Sequence, residues 1–520
     1  MAFRRGDFVF WAASGALIIS LVVTFGRVGG FDGPVLDDTH NLILNPHVGS
    51  LSWDNVRWAL TPRFDYVPRY MPIGWLGVDL EMGITGLDPG RLRLFGLGVH
   101  IVVSLMLACV LRRALILAGA IDEPQAALAA MLGASVYALH PLRVESLGWE
   151  SGVIWHQALF FLVVAAWVRL GQRRRPWVEA GAYALSLLSY PVALGVAPAV
   201  TVVDARRLGW GAALRRNGLL LAVAVICGAI SFAGARRGAN AFAAPFPLGL
   251  RILQFAAVEG HFVIRTIVPL SLTPMAKPFH SLLVLDPLET VGFCAFALIW
   301  IASLTKRGRY ILPWVAAGTL LVAPFTWVTN WLNPDVGDRY SAPLHLLVAF
   351  AIALSLARAK PKWIALFPVV AALIVFWAIL GAKQILYWKN DGILFSQLER
   401  NLDPADPDFP SYFSIMHLHV VEYYFDNGEF DRAGEEVSRV LAVAPFGSAA
   451  LHLSAVIEDA KAAVARAVLS RGNPPPIPKA YEQRKLVVEA LQKGDGREAE
   501  LHLQEIRRVA PGYYGALVGK

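Results

Sequence analysis

Apolar stretches recur eleven times along this chain, and that repetition constrains the fold more than any single motif. A membrane-crossing helix needs about 20 mostly apolar residues, because hydrocarbon offers no water to satisfy free backbone groups. The stretches lie near 8–26, 94–111, 127–140, 153–170, 177–190, 191–204, 218–235, 288–305, 310–330, 341–357 and 363–383. Hydrophobic residues make up 56% and charged residues 17%, where ordinary soluble domains carry about 25% charge. The expected fold is therefore all-α: a polytopic membrane domain of about 11 spans with a helical C-terminal segment.

The formal net charge of +8 does not point to nucleic acid, since the basic residues sit at the ends of apolar segments. Arg4-Arg5, Arg112-Arg113, Arg173 to Arg175, Arg206-Arg207 with Arg215-Arg216, Lys306-Arg307-Arg309, and Arg358-Lys360-Lys362 fall on one side of the eleven spans. By the positive-inside rule that side is the cytoplasm. Arg236-Arg237 breaks the pattern. The stretch 250–270 is placed as an interfacial or re-entrant helix on the outer face, with His261 and Arg265 four apart on one helical side. The start, MAFRRGDFVFWAASGALIISLVV, has no small-residue cleavage site and reads as a retained first span. Cys109, Cys227 and Cys294 lie in apolar stretches without metal-ligand spacing and read as small core hydrophobes.

With this topology four polar segments open on the non-cytoplasmic face: LDDTHNLILNPHV, HPLRVESLGWESG, PLSLTPMAKPFH and DVGDRY. The first carries the adjacent carboxylates Asp37-Asp38. Ionised side chains beside a bilayer are costly and tend to mark a functional path or site. An N-cap or Asx turn is the purely structural alternative for this pair.

After Trp388 the composition turns soluble and helical. The two segments VVEYYFDNGEFDRAGEEVSRVLAVAP and VVEALQKGDGREAELHLQEIRRVAP match, with Gly428, Ala433 and Pro445 recurring as Gly494, Ala499 and Pro511. The 66-residue offset is roughly two periods of the ~34-residue tetratricopeptide repeat. The region between them, including GNPPPIP, reads as a degenerate middle repeat. Such repeats offer a groove for a peptide or partner protein, or serve only as a stabilising helical lid. The expected domains are 1–388, spanning the membrane, and 389–520, on the non-cytoplasmic side.

LDDTHNLILNPHV, YVPRYMPIGWLGVDLEMGITGLDPGRLRLFGLGVHIVVSLML, ALHPLRVESLGWESG, DRYSAPLHLL and the repeats occur in that order. The order resembles the transmembrane and tetratricopeptide-repeat O-mannosyltransferases and their bacterial relatives, of the GT-C class of glycosyltransferases. The resemblance implies transfer of a hexose, such as mannose, from a polyprenyl-phosphate donor in the membrane lipid to a hydroxyl of a protein or envelope glycan. It also implies an integral, multi-pass protein of a bacterial inner membrane with an extracytoplasmic C-terminal domain. Two departures stand out. Relatives carry a Lys-Glu pair where this chain has Ser189-Tyr190-Pro191, and a basic residue where Val153-Ile154-Trp155 stand.

Sugar transfer from a lipid phosphate has a stable anion as leaving group, so it needs a base for the acceptor and cations for the phosphate. The resemblance makes Asp37 the base, with Asp38 positioning the acceptor or binding a cation. His40 is a neighbour in the same string. Arg69 and Arg339 are the leading phosphate ligands, since guanidinium grips phosphate oxygens in a fork. Arg265, His261 and Lys277 are further candidates. As alternatives, Arg69 snorkels and Arg339 pairs with Asp338. His140 and Glu145 are candidates for sugar hydroxyls, while Trp149 fits either a sugar platform or the aromatic belt. His156 reads as a satisfied helix histidine. No organic cofactor is called for. A divalent cation, Mg2+ or Mn2+, is left open with Asp38 as its ligand, two carboxylates being too few to define a site. Two rival functions are a lipid-carrier flippase or transporter, which calls for mid-span charge that is scarce here, and a catalytically lapsed scaffold that recruits partners through its repeats.

Overall fold

The computed structural model describes residues 5–31, 33, 35–36, 38, 41–42, 45–62, 70–119, 123–238, 248–270, 272, 287–332, 337–358, 365–399, 409–445, 450–451, 453–458, 460–461, 486 and 496–509. Every described secondary-structure element is helical. The chain divides into two compact units: Met1–Gly30, Val56–Val78 and Gly90–Leu386 form the first, and Phe31–Asn55, Asp79–Pro89 and Tyr387–Lys520 the second. The C-terminal segment is thus grouped with two short pieces from early in the chain, including the one that bears the acidic pair.

The first unit begins with α1 (Arg5–Phe25) and continues with α4 (Pro89–Leu117), α5 (Glu123–Ala138), α6 (Val144–Gly148) and α7 (Val153–Arg169); the shorter α2 (Trp53–Leu60) and α3 (Pro72–Thr85), between α1 and α4, each contribute residues to both units. It continues with α8 (Pro176–Ser189), α9 (Val196–Leu208), α10 (Trp210–Gly238), α11 (Leu248–Ile267) and α12 (Pro287–Leu304). It closes with α13 (Leu312–Leu332), α14 (Ala342–Ala357) and α15 (Leu366–Gln384). Among the described residues seven helical segments are long and apolar enough to span a bilayer, or eight if the bent pair Glu123–Ala138 and Pro141–Gly148 counts as one. This is a multi-pass membrane protein.

Two of the eleven apolar stretches, 177–190 and 191–204, form helices shorter than a span for a local reason. The stretch 177–204 breaks at Pro191, which has no N–H to continue a helix. Tyr190 is extended there (φ −157°), leaving α8 and α9 at 14 and 13 residues. The stretch at 310–330 becomes α13, with Pro324 inside it. Cys109 is half-buried and Cys227 buried, but Cys294 is exposed on α12, not in the core as expected.

Helix contacts are set by small residues, which let backbones approach where hydrocarbon gives no hydrophobic drive. On α5 a Cβ at Gly133 would lie 2.7 Å from the Ala349 carbonyl of α14, and most of its other buried positions are alanine. Gly260 of α11 and Gly292 of α12 meet backbone to backbone, a Cβ on Gly260 falling 2.6 Å from the Gly292 carbonyl carbon. Arg169 ties four helix ends together, with ion pairs to Glu179 (2.7 Å) and Asp204 (2.6 Å) and a hydrogen bond to Asn217 (3.1 Å).

The second unit contains α16 (Asp391–Glu399), α17 (Phe409–Asp426), α18 (Phe430–Val443), a helical stretch over 450–461 and α19 (Gly496–Val509). Gly428 takes φ +75° at the turn between α17 and α18, a conformation that strains any residue with a Cβ. Val421, Phe425, Ala433, Val437 and Val440 form one core with Leu453, Val456 and Ile457. Of the repeated positions, Gly428 makes the turn, Ala433 is fully buried, and Pro445 follows the end of α18. Gly494, Pro511 and the GNPPPIP segment lie outside the described residues.

Candidate functional site

In the first unit two of the polar segments, HPLRVESLGWESG and the described part of DVGDRY, meet at a break in the α5–α7 chain. His140 is extended (φ −68°, ψ 135°) and Pro141 opens a short 3-10 turn, so the chain bends by 57°. Both imidazole nitrogens are occupied by backbone: the Leu142 N–H donates to Nδ1 (3.2 Å), and Nε2 meets the Thr266 carbonyl (3.1 Å). The ring also packs on His345 at 4.4 Å and Trp377 at 4.5 Å between centroids. His140 is therefore a buried residue whose two ring nitrogens both meet backbone groups of the protein.

Glu145, one turn on, faces the turn Asp338–Ser341 ahead of α14. Its carboxylate pairs with the Arg339 guanidinium through Oε1 and accepts the Arg339 backbone N–H through Oε2 (2.8 Å). Arg339 thus holds a partner 194 residues away, where the sequence offered Asp338 beside it. Glu145, read as a sugar ligand, is instead committed to this arginine. A Cβ at Gly337 would fall 2.5 Å from Arg339 Nη1, so the guanidinium would have to shift if the glycine were replaced. Trp149, Trp155 and Tyr340 surround the guanidinium at 5.1, 5.3 and 4.9 Å. These distances suit cation–π attraction, and Trp149 is used here as a shelf for Arg339.

Beside this pair, Arg143 is fully buried and hydrogen-bonds to Ser341 Oγ. Asp338 is buried within electrostatic reach of Glu145, Arg143, Arg265 and Arg339. Arg265 pairs with Glu289 at 2.8 Å, and His261 Nδ1 contacts the same carboxylate at 3.0 Å. Arg93 and Glu150 form another buried pair at 2.5 Å. His156 is fully buried, with Nε2 3.1 Å from the Ser146 carbonyl. Among the described residues the core of the cluster comprises three arginines (143, 265 and 339) against three carboxylates (145, 289 and 338). Such a balanced group lowers the cost of burying charge, which is prohibitive for an isolated ion.

The structure thus brings together Arg265, His261, Arg339, Glu145 and His140 from the candidates in the sequence. Arg143, Asp338, Glu289 and His345 were missed. Arg143 and Asp338 lay inside motifs already singled out, but Glu289 had no motif around it. Asp37, His40, Arg69 and Lys277 lie outside the described residues. Among the described residues no group of three or more His, Cys, Asp or Glu side chains is placed to hold a metal ion.

In the second unit the residues on either side of Asp37 make backbone hydrogen bonds. Leu36, just before the pair, takes φ +58°, and its N–H donates to Asp391 Oδ1 of α16 at 2.9 Å. A β-free backbone is the usual choice for such a φ, so a leucine there is held by its surroundings. Asp38 is fully buried, its N–H donating to the Val35 carbonyl at 3.3 Å. Further along, Asp79 Oδ1 accepts the Gly49 N–H at 3.0 Å.

Burial raises the Asp79 pKa from the ordinary 3.8 to about 7, against the opposing pull of hydrogen bonds from Gly49, Ser50 and Asn55. The folded chain keeps a proton that the unfolded chain releases near pH 4. Stability therefore falls as pH rises from about 4 to about 7, by up to about 1.4 kcal/mol per unit from this group, and levels off above that. Asp79→Asn is expected to remove this slope. Denaturation midpoints of both proteins from pH 5 to pH 8 test it, and parallel curves refute it.

No protein-family model, curated protein or solved structure matches the chain.

Proposed function

We propose that this chain is a membrane glycosyltransferase that moves a hexose from a polyprenyl-phosphate donor to a hydroxyl acceptor on the non-cytoplasmic face. The observation that carries the reading is the buried cluster of Arg143, Arg265 and Arg339, assembled from three segments distant in sequence. A departing lipid phosphate needs fixed cations more than a proton, and guanidinium forks supply them in a preorganised low-dielectric setting. Glu145 and the aromatic shelf orient Arg339, while Glu289 orients Arg265. Arg69, Lys277 and His261 join the phosphate set by resemblance. Asp37 is the base for the acceptor, with Asp38 and His40 beside it, and a divalent cation at Asp38 is an optional addition. The α17–α18 hairpin, with its glycine turn, buried alanine and closing proline, is the first of the tetratricopeptide repeats, which present a protein or glycan acceptor.

A second reading, a lapsed scaffold, has its own support. Trp155 and Tyr190, from the two stretches where the resemblance would place charged residues, face each other with ring centroids 3.7 Å apart. Trp155 also contacts Arg339. Aromatic packing has replaced ionic groups there, and each cluster arginine has carboxylates nearby.

Purified full-length chain in proteoliposomes, given radiolabelled polyprenyl-phosphate mannose or glucose with an envelope extract, separates the two. Chain-dependent transfer of label to acceptors is expected. Transfer no faster than in empty liposomes for both donors would overturn the enzyme reading and leave the scaffold.

A further inference from the structure

The second unit contains a cavity of about 440 Å3 between α16 and the α17–α18 turn, a size suited to a small ligand. Its lining includes three tyrosines, Tyr387, Tyr423 and Tyr424, and the polar side chains of Asn390, Gln397, Glu429 and Arg432.

The lining is preorganised. A Cβ at Gly392 would lie 3.1 Å from the Tyr423 ring, so a larger residue there would push the ring back by a few tenths of an ångström. Asn390 accepts the Ile393 N–H at 3.0 Å, which fixes its amide at the start of the helix. Arg432 pairs with Glu429 at 2.6 Å and lies over the Tyr424 ring at 5.6 Å. Rigid rings next to amide, carboxylate and guanidinium groups match a pyranose, which has apolar C–H faces and a rim of hydroxyls that both donate and accept.

The position matters as much as the lining. Gly33 stands against the same residues, its Cβ direction 3.6 Å from Asn390 and 4.0 Å from Tyr423. Three residues later, Leu36 is held by Asp391 of α16. The segment leading into Asp37-Asp38 is therefore built against the cavity.

We infer that this cavity is a glycan acceptor site that binds one or two sugar rings against Tyr423. The inference rests on the glycosyltransferase reading and narrows its acceptor from protein or glycan to glycan.

The test uses full-length chain in nanodiscs and saturation-transfer NMR with mannobiose, maltose and cellobiose as probes, without donor. At least one disaccharide is expected to bind. Tyr423→Ala, and Ser396→Trp as a plug at the exposed rim, should each weaken binding at least about tenfold, or about 1.4 kcal/mol. Tyr423→Phe should keep it within about threefold, since the ring face remains. Ser396→Trp does not remove core packing, so it stands as the test if Tyr423→Ala fails to fold. Absence of binding by all three sugars, or variants that bind like the wild type, would overturn the site. Binding of a serine- and threonine-rich peptide in place of the sugars would also overturn it. A chain that binds the disaccharide but transfers no hexose refutes the enzyme reading alone. One that transfers hexose but binds no disaccharide refutes this site alone.

Discussion

Asp37→Asn is expected to reduce hexose transfer by about 100-fold to 10,000-fold, the range typical of losing a general base. The change is isosteric, so donor affinity and melting should stay near wild type. A base acts only as the acceptor hydroxyl attacks, so the loss should appear in the turnover rate and not in donor binding. A companion variant tests how the segment is held. Asp391→Ala removes the acceptor for the Leu36 N–H, at a residue whose φ of +58° needs support. It should lower turnover less than Asp37→Asn does, through misplacement of the base. Transfer by Asp37→Asn at the wild-type rate would remove Asp37 from the mechanism, whatever the fate of the arginine cluster.

Glu145→Ala carries the largest expected effect on stability. Glu145 and Arg339 have side chains 2% and 12% exposed, so neither is screened as a surface pair would be. Removing the carboxylate takes the ion-pair partner from the guanidinium and leaves the Arg339 N–H without its acceptor. Breaking a buried pair in this way costs about 3–5 kcal/mol. Glu145→Gln should cost less, because the amide oxygen still accepts the N–H. Glu145→Leu with Arg339→Met should recover much of the loss, since no charge is then left unpaired. Unfolding free energies in mixed micelles give the comparison. A double variant no better than Glu145→Ala would show that the pair does not act as a unit.

The same pair shows where reading by sequence stops. Asp338 was the nearest carboxylate along the chain, yet Arg339 takes Glu145, 194 residues earlier. Nothing in a single sequence encodes that distance. Glu289 was invisible for a similar reason, as it is the first acidic residue of an apolar helix, and only the Gly260–Gly292 approach brings α12 against α11. The motif around His140 was recognised, but not the backbone groups that its ring nitrogens meet. A histidine beside a proline looks the same whether its nitrogens face a ligand or a neighbouring carbonyl. The short spans at α8 and α9 were foreshadowed by Pro191, because a missing N–H is a local property.

By itself the sequence determined that the chain is helical and crosses a membrane several times. Those properties follow from apolar length and from backbone groups that must be satisfied within their own helix. The tertiary structure decided which charges neutralise which and which histidine nitrogens meet backbone groups. It also placed the segment before Asp37 against α16. Electrostatic and hydrogen-bond pairing depends on distance in space, and side chains hundreds of residues apart acquire a distance only when the helices pack.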